Sequence, residues 1–236
     1  MLSIIIPVYN EESILEKSIE TLRQYLSRGQ FSYEILVVNN GSTDATAEIG
    51  KRLMVQYPWF RFLSVPERGA GKAFALAVRE ARGEFLVFID ADLSSELMFL
   101  DYARDLLIHC DMLVGSKLMG HQRRSLVRIV GSQFYILLSQ LFFGLTVSDY
   151  SIGAKAFRKS AILDVLPFLD SWTGYILELC LYLHLQGKRI VQIGIECDDQ
   201  RASHFNLWYE AYYRYRHIFR CWRLLRDKKS WLYRSF

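Results

Sequence analysis

Two aspartates separated by one residue, Asp90 and Asp92, directly follow the strongly apolar run at residues 84–89. Carboxylates two positions apart at the end of a strand can hold a divalent cation against the phosphates of a substrate, because Mg²⁺ and Mn²⁺ prefer oxygen ligands. The alternative is structural, since aspartates in this position also cap the helix that follows. The residues around the pair decide between these two interpretations.

Polar segments also follow three earlier apolar runs, at residues 7–11, 39–44 and 67–72. The last of them places two glycines and Lys72 before a helical pattern. Such an arrangement brings backbone N–H groups and an ammonium close to a phosphate or a ribose. A tight turn followed by a surface lysine explains the same residues equally well, so this segment alone is a weak indication.

The segment at residues 39–44 also allows two interpretations. Ser42 or Asp44 can cap the helix predicted after it, because short polar side chains accept the free N–H groups of a first helical turn. Capping by these residues does not exclude contact between a ligand and their neighbour Asn40. Both roles therefore stay open for this segment.

Apolar runs and helical spacings alternate through the first half of the chain, which favours an α/β fold. The predicted strands of this half are residues 2–8, 33–38, 60–65 and 84–89, and its predicted helices are residues 12–26, 43–57 and 71–82. Continuously apolar strands separated by helices indicate a mostly parallel sheet with helices on both faces. Ligands bind beyond the carboxyl ends of such strands, so we expect the four polar segments to meet at one edge of the sheet.

The second half is less regular. Its predicted helices are residues 99–108, 125–145 and 175–186, and its predicted strands are residues 112–115, 154–157 and 189–195.

Length and composition exclude disordered and fibrous classes. The chain has 236 residues, of which 51% are hydrophobic and 23% are charged, a globular balance. The net charge of +4 is unevenly distributed, because residues 201–236 hold nine of the 29 basic residues and only two of the 25 acidic ones. The same 36 residues hold 11 of the 34 aromatics. Basic charge combined with aromatic side chains predicts contact with an anionic lipid surface or a nucleic acid.

The four cysteines show no metal-binding or redox spacing, and no signal peptide precedes the first predicted strand. These features predict a reducing, cytosolic location.

Residues 129–148 form a stretch of 20 residues without charge, long enough to cross a bilayer. Ser132, Gln133, Ser139 and Gln140 recur seven residues apart, which places a polar stripe on one face of the predicted helix. We therefore favour a helix that lies in the plane of a membrane or in the protein core over one that spans a bilayer.

Two basic regions suggest an anionic partner. Arg123, Arg124 and Arg128 stand at the start of the uncharged helix, where cations are unfavourable for the helix dipole. The alternative is that this helix start is simply solvated.

In the tail, aromatic residues four and three apart form one helical stripe with arginines beside it. The alternative is that this helix packs on the core. The stripe consists of Trp208, Tyr212, Tyr215, Phe219 and Trp222.

Taken together, the motifs resemble those of a known family. They are Pro7-x-Tyr9-Asn10-Glu11, Asn-Asn-Gly-Ser-x-Asp ending at Asp44, Gly71-Lys72, Asp90-Ala91-Asp92-Leu93 and, more loosely, Gly115-Ser116-Lys117, the segment 148–153 and Arg201-Ala202-Ser203-His204. With these motifs the chain resembles the inverting family 2 glycosyltransferases of GT-A fold, within them the dolichol-phosphate mannose synthase and polyprenyl-phosphate glycosyltransferase group. The resemblance implies a GT-A domain over residues 1–205, and the aromatic and basic pattern of the tail predicts an amphipathic helix over residues 206–236.

The same resemblance implies roles for individual residues. Asp90 and Asp92 would bind Mg²⁺ or Mn²⁺ on the diphosphate of a UDP- or GDP-sugar. The donor would contact Pro7, Tyr9, Glu11, Asn40, Asp44, Lys72, Asp90, Ala91, Asp92 and Arg201. The acceptor phosphate would face Lys117, Arg124, Arg128 and His204.

The chain departs from the family pattern in three motifs. The usual Asp-Asp before Gly-Ser is replaced by Asn39-Asn40, which leaves the nucleotide preference open. Lys117 replaces an arginine and keeps the charge without the bidentate fork. His204 replaces a lysine, so its charge depends on pH.

The implied function is transfer of a mannose or glucose type sugar to polyprenyl or dolichyl phosphate at the cytosolic face of a membrane. Peripheral attachment is expected, with or without a membrane-protein partner. The metal held by Asp90 and Asp92 would stabilise the charge on the leaving diphosphate, together with Arg201. A phosphate acceptor is already anionic and needs no strong base. A sugar or protein hydroxyl as acceptor is the alternative, and would require Asp149 or Glu178 as base, although both residues also have structural interpretations.

More remote alternatives are a non-catalytic relative and a nucleic-acid-binding module. The latter leaves the four polar segments unexplained.

Overall fold

The computed structural model describes residues 1–29, 31–117, 119, 126–197 and 207–226, without the side chains of residues 126–128, 207, 208 and 224. Over these residues, one mixed sheet has the strand order β3-β2-β1-β4-β6-β5-β7. Its strands are β1 (Leu2–Val8), β2 (Tyr33–Asn40), β3 (Phe60–Val65), β4 (Phe85–Phe88), β5 (Met112–Ser116), β6 (Lys155–Arg158) and β7 (Ile190–Gly194). Neighbouring strands are parallel except at β6, which runs antiparallel to both β4 and β5. The predicted mostly parallel α/β sheet is confirmed.

The helices other than α6, which the sequence did not predict, follow the predicted pattern with ends that differ by a few residues. They are α1 (Leu15–Leu26), α2 (Thr46–Gln56), α3 (Ala70–Glu80), α4 (Phe99–Leu106), α5 (Leu126–Phe143), the short α6 (Lys159–Ile162), α7 (Tyr175–Leu185) and α8 (Leu207–Arg226). α5 ends two residues before its predicted end because Gly144 adopts a φ of 69° and donates its N–H to the carbonyl of Gln140.

The direction in which the sheet is built reverses at β1. The chain runs from β1 outward through β2 to β3, and then returns to place β4 on the other side of β1. Right-handed crossovers therefore put α1 and α2 on one face of the sheet and α3 on the other. The crevice between the carboxyl ends of β1 and β4 is the position where ligands bind in sheets of this kind.

Helices α5 and α8 pack against each other through aromatic side chains. Phe134 and Tyr135 contact Tyr215, and Phe142 contacts both Phe219 and Trp222. Part of the aromatic stripe on α8 therefore packs against α5, which agrees with the alternative that the tail packs on the core. Within the described residues, no helix is long and apolar enough to cross a membrane.

One face of α5 is both apolar and exposed. Val130, Phe134, Leu137 and Leu141 recur at helical spacing and are each more than half exposed. The predicted polar stripe does not lie in one environment. Ser139 is buried and donates its hydroxyl to the carbonyl of Tyr135, whereas Gln133 and Gln140 are exposed. The exposed apolar stripe is defined here as the α5 stripe.

A buried carboxylate joins the first three strands. Glu34 on β2 accepts hydrogen bonds from the hydroxyl of Ser3 on β1 (2.6 Å), the N–H of Arg82 (2.6 Å) and the guanidinium of Arg61 on β3 (3.0 Å). Burial alone would raise the pKa of Glu34, but these bonds outweigh it and lower the pKa below its usual value. Ionised Glu34 therefore stabilises the fold.

We expect Glu34→Ala to lower the free energy of unfolding by about 3 kcal/mol, because the Ser3 hydroxyl and the N–H of Arg82 lose their acceptor and Arg61 keeps only its bonds to Glu80. The matched control is Glu16→Ala, which removes an ion pair with Arg52 whose side chains are each 59% exposed, and should cost less than about 1 kcal/mol. Denaturant titration measures both. Because the folded pKa is lowered, the contribution of Glu34 is present above its unfolded pKa and lost as the pH falls through the folded pKa. Equal losses in the two variants would contradict this assignment.

Candidate functional site

The polar segments after β1 and β2 are hydrogen-bonded to each other at the carboxyl edge of the sheet. Asn10, with a φ of 55°, accepts the N–H of Thr43 on its side-chain oxygen (2.8 Å), and its own N–H donates to the hydroxyl of Ser42 (3.0 Å). The N–H of Glu11 donates to Thr46. The expected convergence of these loops is therefore observed, and it is fixed by side-chain to backbone bonds.

Asp44 caps α2. Its carboxylate accepts the N–H (3.0 Å) and the hydroxyl (2.5 Å) of Thr46, and also the N–H of Glu12 (3.2 Å). Partial burial would raise the pKa of Asp44, but these donors lower it overall. The capping role that the sequence left open is present, and donor contact by Asp44 stays a prediction.

Asn40 connects the second segment to the third. It is buried, and its side-chain oxygen accepts the N–H of Gly69 at 2.7 Å. The guanidinium of Arg68 lies 3.8 Å from the centre of the Tyr9 ring and 5.6 Å from that of Trp172. Cation–π contact thus orients the aromatic ring that we expect against the nucleotide.

The first turn of α3 is engaged differently from the sequence expectation. The N–H of Gly71 donates to the carbonyls of Ser171 and Trp172, and the N–H of Lys72 donates to Ser171. The ammonium of Lys72 pairs with Glu67 at 2.7 Å. The backbone donors of this turn therefore hold the segment 170–174 in place.

Asp90 and Asp92 lie at the carboxyl end of β4, in the crevice beside β1. Asp90 lines a cavity of about 170 Å³ together with Pro7. It accepts the N–H of Gly153 at 3.2 Å, and Gly153 has no room for a side chain because a Cβ there would overlap the Asp90 carboxylate. Asp92 is half-buried and accepts the N–H of Ser94 (3.0 Å), while Ala91 between the two aspartates is buried.

Two buried lysines, Lys117 and Lys155, lie near Asp90. Burial, and then the negative charge of Asp92, raise the pKa of Asp90, whereas Lys117 and Lys155 oppose that rise. Burial lowers the pKa of Lys155 to about 8, although the charges of Asp149 and Asp90 oppose it, and its ammonium donates to the carbonyl of Ile152. The predicted residue Lys117 therefore lies in this charge cluster.

Lys155 and Arg214 were missed from the sequence, and both line the cavity. A lysine inside the apolar run at residues 154–157 was the available signal for Lys155, because a cation in a buried strand needs anionic neighbours. Arg214 comes from α8, 124 positions after Asp90, so no spacing rule indicated it.

The two candidate bases are held by protein donors. Asp149 is buried and accepts N–H groups from Ser151 (2.9 Å) and Ile152 (3.0 Å), an arrangement that orders the loop next to Asp90. Glu178 lies on α7, accepts the N–H of Asp170 (2.5 Å) and faces α8. Glu178 does not line the cavity described above.

Several predicted residues cannot be placed. Arg124, Arg201 and His204 lie outside the described residues, and Arg128 lies in α5 without a described side chain.

The chemistry of the aspartate pair fits a divalent cation. Both groups are carboxylates, the ligand type that Mg²⁺ and Mn²⁺ favour. Asp90 lines the cavity described above, where a substrate can reach it. The repulsion from Asp92 that raises the pKa of Asp90 is the kind that a bound dication relieves.

Comparison with known proteins now identifies the family. The model of the family described as Glycosyl transferase family 2 matches residues 3–165, more than half of the chain. This chain therefore belongs to glycosyl transferase family 2, as its motifs indicated.

Curated relatives match most of this chain. Glycosyltransferase AglD of Haloferax volcanii is 31% identical over 215 residues, which cover 87% of this chain and 34% of AglD. Dolichyl-phosphate beta-glucosyltransferase of Dictyostelium discoideum is 27% identical over 231 residues, which cover 87% of this chain and 69% of that protein. The chain thus spans about a third of the length of AglD.

Solved structures share the fold. Glucosyl-3-phosphoglycerate synthase from Mycobacterium tuberculosis, in complex with Mn²⁺ and UDP-glucose, superposes with a TM-score of 0.64 at 19% identity, covering 89% of this chain and 73% of that chain. S. aureus TarS 1-349 gives a TM-score of 0.59 at 21% identity, covering 94% of this chain and 64% of that chain. The GT-A fold expected from the sequence is confirmed.

We expect Gly153→Ala to weaken metal-dependent donor binding by tenfold or more, because the added methyl group displaces the Asp90 carboxylate. The matched control is Gly131→Ala on α5, where a Cβ meets no atom within 4 Å and binding should be unchanged. Calorimetric titration of each folded variant with nucleotide sugar and Mn²⁺ measures the effect. Unchanged binding in Gly153→Ala would show that the position of Asp90 does not govern the donor site.

Proposed function

We propose that this protein is a metal-dependent inverting hexosyltransferase that moves a mannose or glucose type sugar from a UDP- or GDP-sugar to polyprenyl or dolichyl phosphate. The observation that carries the proposal is the Asp90 and Asp92 pair beside buried Lys117 and Lys155, at the crevice between β1 and β4. The similarity to dolichyl-phosphate beta-glucosyltransferases supports the acceptor class.

On the donor side, Asp90 and Asp92 would hold Mg²⁺ or Mn²⁺, which neutralises charge on the leaving diphosphate. Solved structures of the same fold that contain Mn²⁺ and UDP-glucose support a divalent metal here. The remaining donor contacts in this proposal are Pro7, Tyr9, Glu11, Asn40, Asp44, Lys72, Ala91 and Arg201.

On the acceptor side, the positive charge of Lys117 attracts the lipid phosphate, together with Arg124, Arg128 and His204. An oxygen of that phosphate attacks the anomeric carbon as the bond from this carbon to the diphosphate oxygen breaks, which inverts the configuration. The acceptor is already anionic, so this chemistry needs positioning and charge stabilisation more than a general base.

The hydroxyl-acceptor alternative is less well supported. It requires a carboxylate base, yet the carboxylates of Asp149 and Glu178 both accept hydrogen bonds from protein N–H groups. The lipid-phosphate reaction requires neither residue as a base.

We also propose that the protein attaches peripherally to the cytosolic face of a membrane, and the surface of α5 and α8 supports contact with lipid. The α5 stripe exposes Leu137 (57%) and Leu141 (73%), and α8 adds exposed Phe219 beside it. Arg216, Arg220 and Arg223 are exposed on α8. An apolar strip flanked by arginines is complementary to anionic lipid, and docking there would bring a membrane-embedded acceptor to the protein.

The donor site is tested by thermal unfolding with UDP-, GDP- and dTDP-sugars, each with and without Mn²⁺. A donor at about 100 times its Kd stabilises the folded chain by about 2.7 kcal/mol, which raises Tm by roughly 5–10 °C for a chain of this size. We expect such a metal-dependent rise with one donor class and its loss in Asp92→Ala.

The control for that substitution is Asp164→Ala, which removes an exposed aspartate elsewhere and should leave the rise intact. The absence of any metal-dependent rise with all three donor classes would refute the proposed donor chemistry.

Membrane docking is tested by flotation with phosphatidylcholine vesicles that do or do not contain phosphatidylglycerol. We expect wild type to bind the anionic vesicles, and the double variant Leu137→Glu, Leu141→Glu to bind about tenfold more weakly, since it places charge in the lipid-facing stripe. Val55→Glu is the matched control, because Val55 is 89% exposed on α2. Equal binding by the double variant and wild type would locate the docking surface elsewhere.

A further inference from the structure

A second cluster of metal-ligating side chains lies between α7 and α8, apart from the aspartate pair. Glu178 comes from α7, and His217 and Cys221 lie one helical turn apart on α8. One ligand atom from each residue lies within 4.8 Å of the other two. All three side chains are buried, with 6%, 4% and 2% exposure respectively.

The contact between His217 and Glu178 is close but poorly directed. His217 Nε2 lies 3.1 Å from Glu178 Oε1, yet among the described residues Nε2 has no partner with hydrogen-bond geometry. A buried ring nitrogen without a directed partner is costly. Two ligands of one cation show this pattern, because their lone pairs point to a shared centre and not at each other.

The surroundings hold both ligands in place. The Tyr213 ring is stacked on the His217 ring with an angle of 10° between their planes, and the imidazole lies so close to Gly174 that a Cβ there would come within 2.6 Å of it. The other oxygen of Glu178 accepts the N–H of Asp170, which leaves Oε1 directed toward the cluster. Ligand orientation fixed by neighbouring groups is characteristic of metal centres.

We propose that Glu178, His217 and Cys221 form a second metal site, which binds Zn²⁺ or a similar borderline-soft divalent cation. Imidazole nitrogen, thiolate sulfur and carboxylate oxygen are the ligand types of zinc, whereas Mg²⁺ and Mn²⁺ favour the all-oxygen set of Asp90 and Asp92. Three protein ligands leave the fourth tetrahedral position to a water molecule. Binding replaces the thiol proton of Cys221, which is released to solvent.

This cation would fasten α8 to the body of the protein. Glu178 is bonded to the segment 170–174, and the carbonyls of that segment accept the N–H groups of Gly71 and Lys72. The site therefore lies at the start of a bonded path from α8 to the first turn of α3.

The test uses the whole chain, purified in chelator and titrated with Zn²⁺ and then, separately, with Co²⁺. We expect one Zn²⁺ per chain to raise Tm without any nucleotide sugar, and Co²⁺ to produce the near-ultraviolet absorption band of thiolate ligation. Cys221→Ser should abolish that band, and both Cys221→Ser and His217→Gln should weaken Zn²⁺ binding by about tenfold or more.

Two controls locate the effect. Cys110→Ser replaces another buried thiol, one bonded to the carbonyl of Leu106, and should keep both the Zn²⁺ response and the cobalt band. Asp92→Ala should also keep them, which separates this site from the donor site. The cobalt spectrum of wild type does not depend on any variant folding, so the absence of a thiolate band there would overturn the proposal. Loss of the Zn²⁺ response in Asp92→Ala would assign the ion to the aspartate pair and would also overturn it.

Discussion

The charge balance around Asp90 is the constraint on which the candidate site depends. This buried carboxylate lies beside Asp92, and the positive charges of Lys117 and Lys155 offset part of the cost of burying it. Asp90 follows β4, Lys117 follows β5 and Lys155 begins β6. The antiparallel placement of β6 between β4 and β5 is what brings these three residues together. A site that binds a dication and a diphosphate needs such alternating charge, because each partner neutralises the next.

The tail helix is part of the same construction. Glu210 on α8 accepts hydrogen bonds from the indole of Trp172 (2.7 Å) and the hydroxyl of Thr173 (2.8 Å). The hydroxyl of Tyr213 donates to Asp170 (2.5 Å). The segment 170–174, held in this way, accepts hydrogen bonds from the first turn of α3. The guanidinium of Arg68 lies over the rings of both Trp172 and Tyr9. The surface proposed to meet lipid and the loops proposed to hold the donor are therefore linked by a continuous series of bonds.

Much of this arrangement could be predicted from local patterns. Continuously apolar runs such as Leu2–Val8 predicted the parallel strands, because a strand covered on both faces has no polar side. The polar residues after those runs predicted the edge where ligands bind, since parallel strands all end at the same edge. A capping role for Ser42 or Asp44 could also be predicted, although only the structure shows that the Asp44 carboxylate accepts a free N–H at the start of α2.

The sequence by itself determined the fold class, the family and the aspartate pair, because these depend on periodicity and on short motifs within one loop. Only the tertiary structure decided which distant residues share a site. Arg214 reaches the cavity, and His217 and Cys221 meet Glu178, across separations that no local pattern encodes. The apolar face of α5 is also a tertiary result, because helical spacing shows which residues lie together but not which face the rest of the protein covers. Contacts between distant elements depend on how the whole sheet is ordered and covered, and this order is set by the packing of the complete chain.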